Sequence, residues 1–179
     1  MIGDEGIAEI AQAVKYSFSL VHLDLSSNGF GYKGGNKLFK ALAVNESVTS
    51  IDVSSKRGVN KNRITARGMK WVTPMLKHNK TLSIIDLSGN AIKEGLAFIA
   101  EGIIGNVTIM SLKIGYNEIQ GNAETLKYLK AILLHSKIIE LDISGNPLGN
   151  KCAEGMFGFL TSEKAELRRL ICSNIDINC

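Results

Sequence analysis

A short segment of the form L-x-L, followed by a polar turn and an asparagine, recurs along the chain, and no other feature restricts the fold as strongly. LVHLDLSSNGF (20–30), TLSIIDLSGNAI (81–92), TIMSLKIGYNEI (108–119) and IIELDISGNPL (138–148) superimpose. VTSIDVSS (48–55) opens a disguised copy, and ELRRLICSN (166–174) begins a sixth that then loses one residue. The anchors Leu23, Ile51, Ile85, Leu112, Leu141 and Leu170 lie 28, 34, 27, 29 and 29 residues apart. One interval breaks the period. After VTSIDVSS the expected Asn-x-Ile arrives late, as Asn62-Arg63-Ile64, which places an insertion of six residues within Ser54–Lys61.

Apolar residues alternate through each L-x-L stretch, which reads as a short strand. Each unit continues through a glycine into an apolar pattern of spacing three and four, as in GIAEIAQAV (6–14), GNKLFKAL (35–42), GMKWVTPML (68–76), GLAFIAEGI (95–103) and GMFGFL (155–160). That spacing predicts amphipathic helices. A lone strand–helix unit has nothing to bury its apolar face against, whereas stacked units share a continuous core. Pro74 is expected to end or kink the helix of the second repeat, and Trp71, one turn earlier, is expected to pack into the core.

The motif LxxLxLxxN, intact in four repeats, resembles the leucine-rich-repeat family, and its spacing resembles the ribonuclease-inhibitor-like class of 28–29 residues. The resemblance covers nearly the whole chain. It implies an α/β solenoid shaped as a horseshoe, with parallel strands on the concave face and helices on the convex one. Residues 1–179 are then one leucine-rich-repeat domain: the helix of a preceding repeat, about five full repeats and a partial terminal one. Neither end carries a distinct polar cap, so a stretch of a longer array and a small protein with degenerate caps both fit. In this register Asn28, Asn62, Asn90, Asn117 and Asn146 stand where strand becomes loop. An amide side chain donates and accepts, so these five are expected to be structural, satisfying backbone groups that the turn leaves unpaired.

Several motifs dissolve once the repeat is recognised. Gly29-Phe30-Gly31-Tyr32-Lys33-Gly34 matches the GxGxxG of dinucleotide sites, after a strand and before a helix. The same strand–turn–helix recurs without those glycines, so no cofactor is expected. Asn45, Asn79 and Asn106 begin glycosylation sequons, yet each lies six residues before an anchor and is explained by repeat register, with His135 in the equivalent place of the fifth unit. Cys152, Cys172 and Cys179 form neither a disulfide framework nor a metal-binding spacing. They suit a reducing, cytoplasmic setting. Met1–Ala13 carries Asp4, Glu5 and Glu9 without a basic stretch, so no signal peptide is expected, and no apolar run approaches a membrane span. A net charge of +4 with dispersed lysines and arginines gives no reason to expect a nucleic-acid partner.

What remains is surface. If the x positions of the strands face the concave side, Asp24, Asp52, Asp86, Lys113 and Asp142 form one ladder, and His22, Ser50, Ile84, Ser111, Glu140 and Arg169 another. Strands ~4.8 Å apart crowd those carboxylates. Crowding is expected to raise some of their pKa values and to offer an acidic groove to a basic partner segment. Lys56, Arg57, Lys61, Arg63 and Arg67 gather near the insertion, which must leave the coil beside the concave rim. Basic side chains on such a loop can hold carboxylates or phosphates. The expected function is a protein-interaction scaffold using the concave face and the strand-to-helix loops, not catalysis. The resemblance also admits a GTPase activator of the Ran-activator kind, or an actin-associated regulator of the tropomodulin kind, though no residue of either carries over.

Overall fold

In the computed structural model, which describes residues 1–55, 59–134 and 137–177, the repeats form one coil. Helix α1 (Gly3–Tyr16) is followed by β1 (His22–Asp24), α2 (Tyr32–Leu42), β2 (Ser50–Asp52), α3 (Thr65–Met69), α4 (Val72–His78), β3 (Ile84–Asp86), a 3-10 turn (Lys93–Gly95) running into α5 (Leu96–Ile103), β4 (Ser111–Lys113), α6 (Ala123–Leu134), β5 (Glu140–Asp142), α7 (Gly149–Leu160) and β6 (Arg169–Ile171). The strands form one parallel sheet in chain order. Their register joins the anchors in sequence, Leu23 to Ile51, Ile85, Leu112, Leu141 and Leu170.

Each strand is only three residues long because only its central anchor and the residue two further on point inward. Ile51, Val53, Ile85, Leu87, Leu112, Ile114, Leu141 and Ile143 are all buried, as is Leu25. The helices close the core from the other side with Ile7, Leu38, Phe39, Met69, Met75, Ile99, Ile132 and Met156. Leu23 is the exception among the anchors of β1 to β5. It is half-buried, because β1 has a neighbour on one side only.

The helix of the second repeat is broken where its sequence requires it, though not at the proline itself. A proline has no N–H to give to the residue four before it, and its ring collides with that residue's carbonyl. For Pro74 that residue is Lys70, and the chain divides there into α3 and α4, leaving Pro74 in the first turn of α4 where no N–H is needed. Trp71 falls at the break. It is half-buried rather than enclosed, and the Lys40 ammonium lies 3.9 Å from the centre of its ring. The packing expected of Trp71 is therefore only partial.

Asparagine fastens one repeat to the next. Asn62, Asn90, Asn117 and Asn146 are fully buried, while Asn28, in the first turn of the series, is half-buried. Asn117 Oδ1 accepts the backbone N–H of Asn90 at 2.7 Å, and its Nδ2 donates to the carbonyls of Leu87 and Ile114. Asn146 does the same one repeat on, for Asn117 N–H and for the carbonyls of Ile114 and Ile143. Asn62 accepts Asn28 N–H and donates to Leu25 and Val53.

A second series stands at the opposite edge, where helix returns to strand. Asn45, Asn79 and Asn106 are buried. Asn79 Oδ1 accepts the N–H groups of Thr81 and Leu82, while its Nδ2 donates to Leu42 O at 2.7 Å and to Asn45 O at 3.0 Å. Asn106 repeats the arrangement with Thr108, Ile109 and Leu76, and Asn45 with Ser47, Val48 and Val14. The nitrogen that a glycan would need is thus committed inside the fold at all three sequons. His135 lies outside the described residues.

Candidate functional site

The sheet has one face covered by helices and one left open. On the open face the two ladders expected from the sequence are present in register. His22, Ser50, Ile84, Ser111, Glu140 and Arg169 follow one another across the strands, as do Asp24, Asp52, Asp86, Lys113 and Asp142, the latter ending on Ile171. Ile84, near the middle of the sheet, is 40% exposed, and Met110, just before β4, is 50% exposed. At the last strand Arg169 is 3.5 Å from Glu140.

The acidic ladder differs from the expected groove in two ways. First, its carboxylates turn back on their own chain. The Oδ1 atoms of Asp24, Asp52, Asp86 and Asp142 accept the backbone N–H of Ser26, Ser54, Ser88 and Ser144 at 2.8, 2.7, 3.0 and 2.9 Å. The recurring Asp-x-Ser is therefore a turn-forming pair that ends four of the six strands. Second, Asp86 is only 6% exposed and is not the solvent-facing residue the ladder predicts. Nor does crowding raise the pKa of Asp24. Its carboxyl is held below the usual 3.8, chiefly by the Ser26 backbone N–H and then by the Ser26 side chain, with partial burial opposing. Hydrogen bonds to the charged form outweigh desolvation there.

The strand-to-helix rim is the second candidate surface. Lys56 and Arg57 lie outside the described residues. Lys61 and Arg63 are exposed and line a hollow of about 680 Å³ together with Ser55, Gly89, Ala91, Tyr116 and Glu118. Arg63 is anchored through its backbone, donating to Phe30 O at 2.8 Å and bridging Gly31. The Ser55 hydroxyl donates to Asn62 O at 2.9 Å, tying the ends of the insertion together. Arg67 is not part of this hollow. Its guanidinium stacks on Tyr32, 4.0 Å from the ring centre.

Tyr116 is the residue that the ladder reading missed. Four residues after every anchor but Ile51 the loop has a left-handed backbone, and Ser27, Gly89, Tyr116, Gly145 and Asn174 have φ of 52°, 74°, 56°, 67° and 54°. Serine, glycine and asparagine suit that conformation. A tyrosine does not, and holding it there costs about 1–2 kcal/mol. Its ring is 56% exposed and lies over Gly145, where a Cβ would come within 2.3 Å of it. The signal was available in the sequence: the fourth repeat reads Lys113-Ile114-Gly115-Tyr116 where the first, third and fifth read Asp-x-Ser-Ser or Asp-x-Ser-Gly.

The GxGxxG segment is occupied from within. The N–H groups of Gly31 and Gly34, at the start of α2, both donate to Asp4 Oδ1 at 2.8 Å. A carboxylate of α1 thus sits where a bound phosphate would meet that helix. The thiol of Cys152 is buried, and desolvation pushes its pKa up, which makes it a poor nucleophile. Cys172 sits just after β6, half-buried and free; Cys179 lies outside the described residues. Among the described residues no cluster of three or more acidic, histidine or cysteine side chains could hold a metal ion, and no helix is long and apolar enough to cross a membrane.

Residues 16–39 and 78–100 match a family model described as leucine-rich repeat. No curated protein sequence matches the chain. Among solved structures the chain is similar to leiomodin-1 actin-binding site 2, with 17% identity over 87% of this chain and 86% of that one, and a TM-score of 0.53. At that identity the likeness is one of fold. The matched segments, the six parallel strands in one open sheet among the described residues and the alternation of strand with helix agree on an α/β solenoid of the leucine-rich-repeat fold.

Proposed function

We propose that this chain is a protein-interaction scaffold that binds a macromolecular partner across its open sheet face and the adjoining strand-to-helix loops. Domains of this family act as interaction scaffolds, and one observation carries the reading here. The sheet's inner face is closed by helices, while its outer face presents two uncovered ladders with Ile84 and Met110 exposed among polar side chains. Apolar centres inside polar surroundings are what protein interfaces bury. The spacing of 27–29 residues between most anchors supports placement in the ribonuclease-inhibitor-like class, with residues 1–179 acting as one repeat domain. Free Cys152 and Cys172, together with the three buried sequon asparagines, support a cytoplasmic setting.

The test is affinity purification from the source cell with the wild-type chain and with Ile84→Glu and Lys113→Glu, both of which keep the core intact. Partners recovered by the wild type and lost from both variants, at unchanged far-UV circular dichroism, support the open face as the binding surface. Partners retained by both variants refute it.

A second reading is favoured by the likeness in fold to leiomodin-1 actin-binding site 2. The partner in that case is actin. Co-sedimentation with filamentous actin and a monomer-binding titration decide it, with Ile84→Glu as the control for the same face.

A further inference from the structure

Two departures from the repeat pattern meet at one point on the rim. The insertion of the second repeat delivers Lys61 and Arg63, and the altered turn of the fourth delivers Tyr116. Between them the third repeat contributes Gly89, which has no side chain to fill the gap and whose backbone lies against Ser55. We propose that this hollow receives an acidic side chain of a protein partner, its carboxylate between Lys61 and Arg63 and the apolar part of the neighbouring partner residue against the Tyr116 ring. The inference rests on the scaffold reading and adds the chemistry of one contact to it.

Charge decides the class of ligand. The negative group of the hollow, Glu118, is already answered by Lys93 at 3.2 Å. Lys61 and Arg63 have no ion-pair partner among the described residues, so the hollow keeps a positive excess. An arginine fork binds a carboxylate through two parallel hydrogen bonds, and a lysine adds a point charge beside it. A nucleic-acid strand would need a longer basic track than Lys61 and Arg63 supply. The tyrosine gives the hollow a rigid aromatic wall. It is held in a left-handed conformation that Ser27, Gly89, Gly145 and Asn174 occupy in other repeats, with its ring over Gly145 and 56% exposed.

The experiment titrates the full isotope-labelled chain with the capped peptide Glu-Glu-Phe-Glu-Glu and with its Gln-Gln-Phe-Gln-Gln counterpart, following amide shifts by NMR. The acidic peptide is expected to move the amides of Lys61, Arg63, Gly89, Ala91 and Tyr116 saturably, and the glutamine peptide to leave them in place. The double variant Lys61→Gln/Arg63→Gln is expected to weaken binding about tenfold or more, equivalent to one charge-assisted hydrogen bond. Tyr116→Ser, which installs the residue that the first repeat uses, is expected to weaken it about threefold, as for loss of an aromatic contact. Equal response to both peptides, shifts centred elsewhere, undiminished binding by the double variant, or an equal response to a single-stranded oligonucleotide would overturn the proposal. Failure here is separable from failure of the scaffold reading. A partner captured by the double variant but lost from Ile84→Glu rejects the rim contact and keeps the open face.

Discussion

The two edges of the sheet are closed by the same side chain in opposite ways. Where strand passes into helix, Asn117 accepts the backbone N–H of Asn90 in the preceding repeat and donates to a carbonyl on each side of the junction, Leu87 and Ile114. Where helix passes back into strand, Asn79 spends its acceptor on its own turn, Thr81 and Leu82, and reaches the preceding repeat only through its donor. The first edge is knitted between repeats by both ends of the amide, and the second by one end. With the backbone secured from inside, the outer residues of the strand-to-helix loops are released from structural duty. That is the edge where Lys61 replaces the regular turn and where Tyr116 stands in a position otherwise held by small residues. The difference teaches that a buried amide ladder is what makes a variable rim affordable.

The largest effect is expected from breaking what both edges share. Leu112→Ala removes a fully buried anchor from the middle of the sheet and should lower stability by about 2–5 kcal/mol. The same change at half-buried Leu23 should cost about half as much, because part of that side chain already meets water. Urea denaturation of the two variants measures the gap, and equal losses would show that the end strand is packed as tightly as the centre.

The contrast between the edges is sharpened by Asn117→Ala against Asn79→Ala. Removing Asn117 strands Asn90 N–H in a site with no exposure and takes one of two amide donors from each of the Leu87 and Ile114 carbonyls, at an expected cost of about 3 kcal/mol. Removing Asn79 leaves Thr81 N–H in a part-buried turn that water can reach, and strands the buried Leu82 N–H on the same turn, so about 2 kcal/mol is expected. A larger loss at Asn79 would reverse the argument about which edge carries the coupling.

The smallest effect concerns the turn at the start of the open face. The pKa of Asp24 is lowered in the folded chain, so its contribution to stability is present above the ordinary carboxylate value of 3.8 and is lost as pH falls below it. Asp24→Ala should therefore lower the neutral melting temperature slightly, leave the value at low pH nearly unchanged, and so flatten the acid limb of a thermal-denaturation series. An acid limb identical to that of the wild type would show that Ser26 N–H does not depend on this carboxylate.

Much of this architecture can be read from the residues because the repeat states each element several times. The anchors, the strand register and the loop asparagines all follow from spacing alone. The candidate site was harder, and for identifiable reasons. The aspartates looked like a groove because alternation places them on the open face, but alternation is silent about rotamers, and each carboxylate folds back onto a serine two residues later. The recurring Asp-x-Ser held that information. Tyr116 was hidden because a motif describes what repeats share, and this residue matters by differing. Trp71 and the broken helix depended on geometry four residues upstream of Pro74, where the carbonyl of Lys70 meets the ring.

The buried amides of Asn45, Asn79 and Asn106 set an order of events for any chain that entered a glycosylating compartment. Each nitrogen is reachable by a transferase only while its turn is open, and each is needed to close that turn onto the preceding helix end. Sugar transfer and folding are therefore mutually exclusive at these three positions, and whichever happens first forecloses the other. A sequon in this repeat register would work as a timing competition rather than as an address, with a modified chain arrested short of its coil.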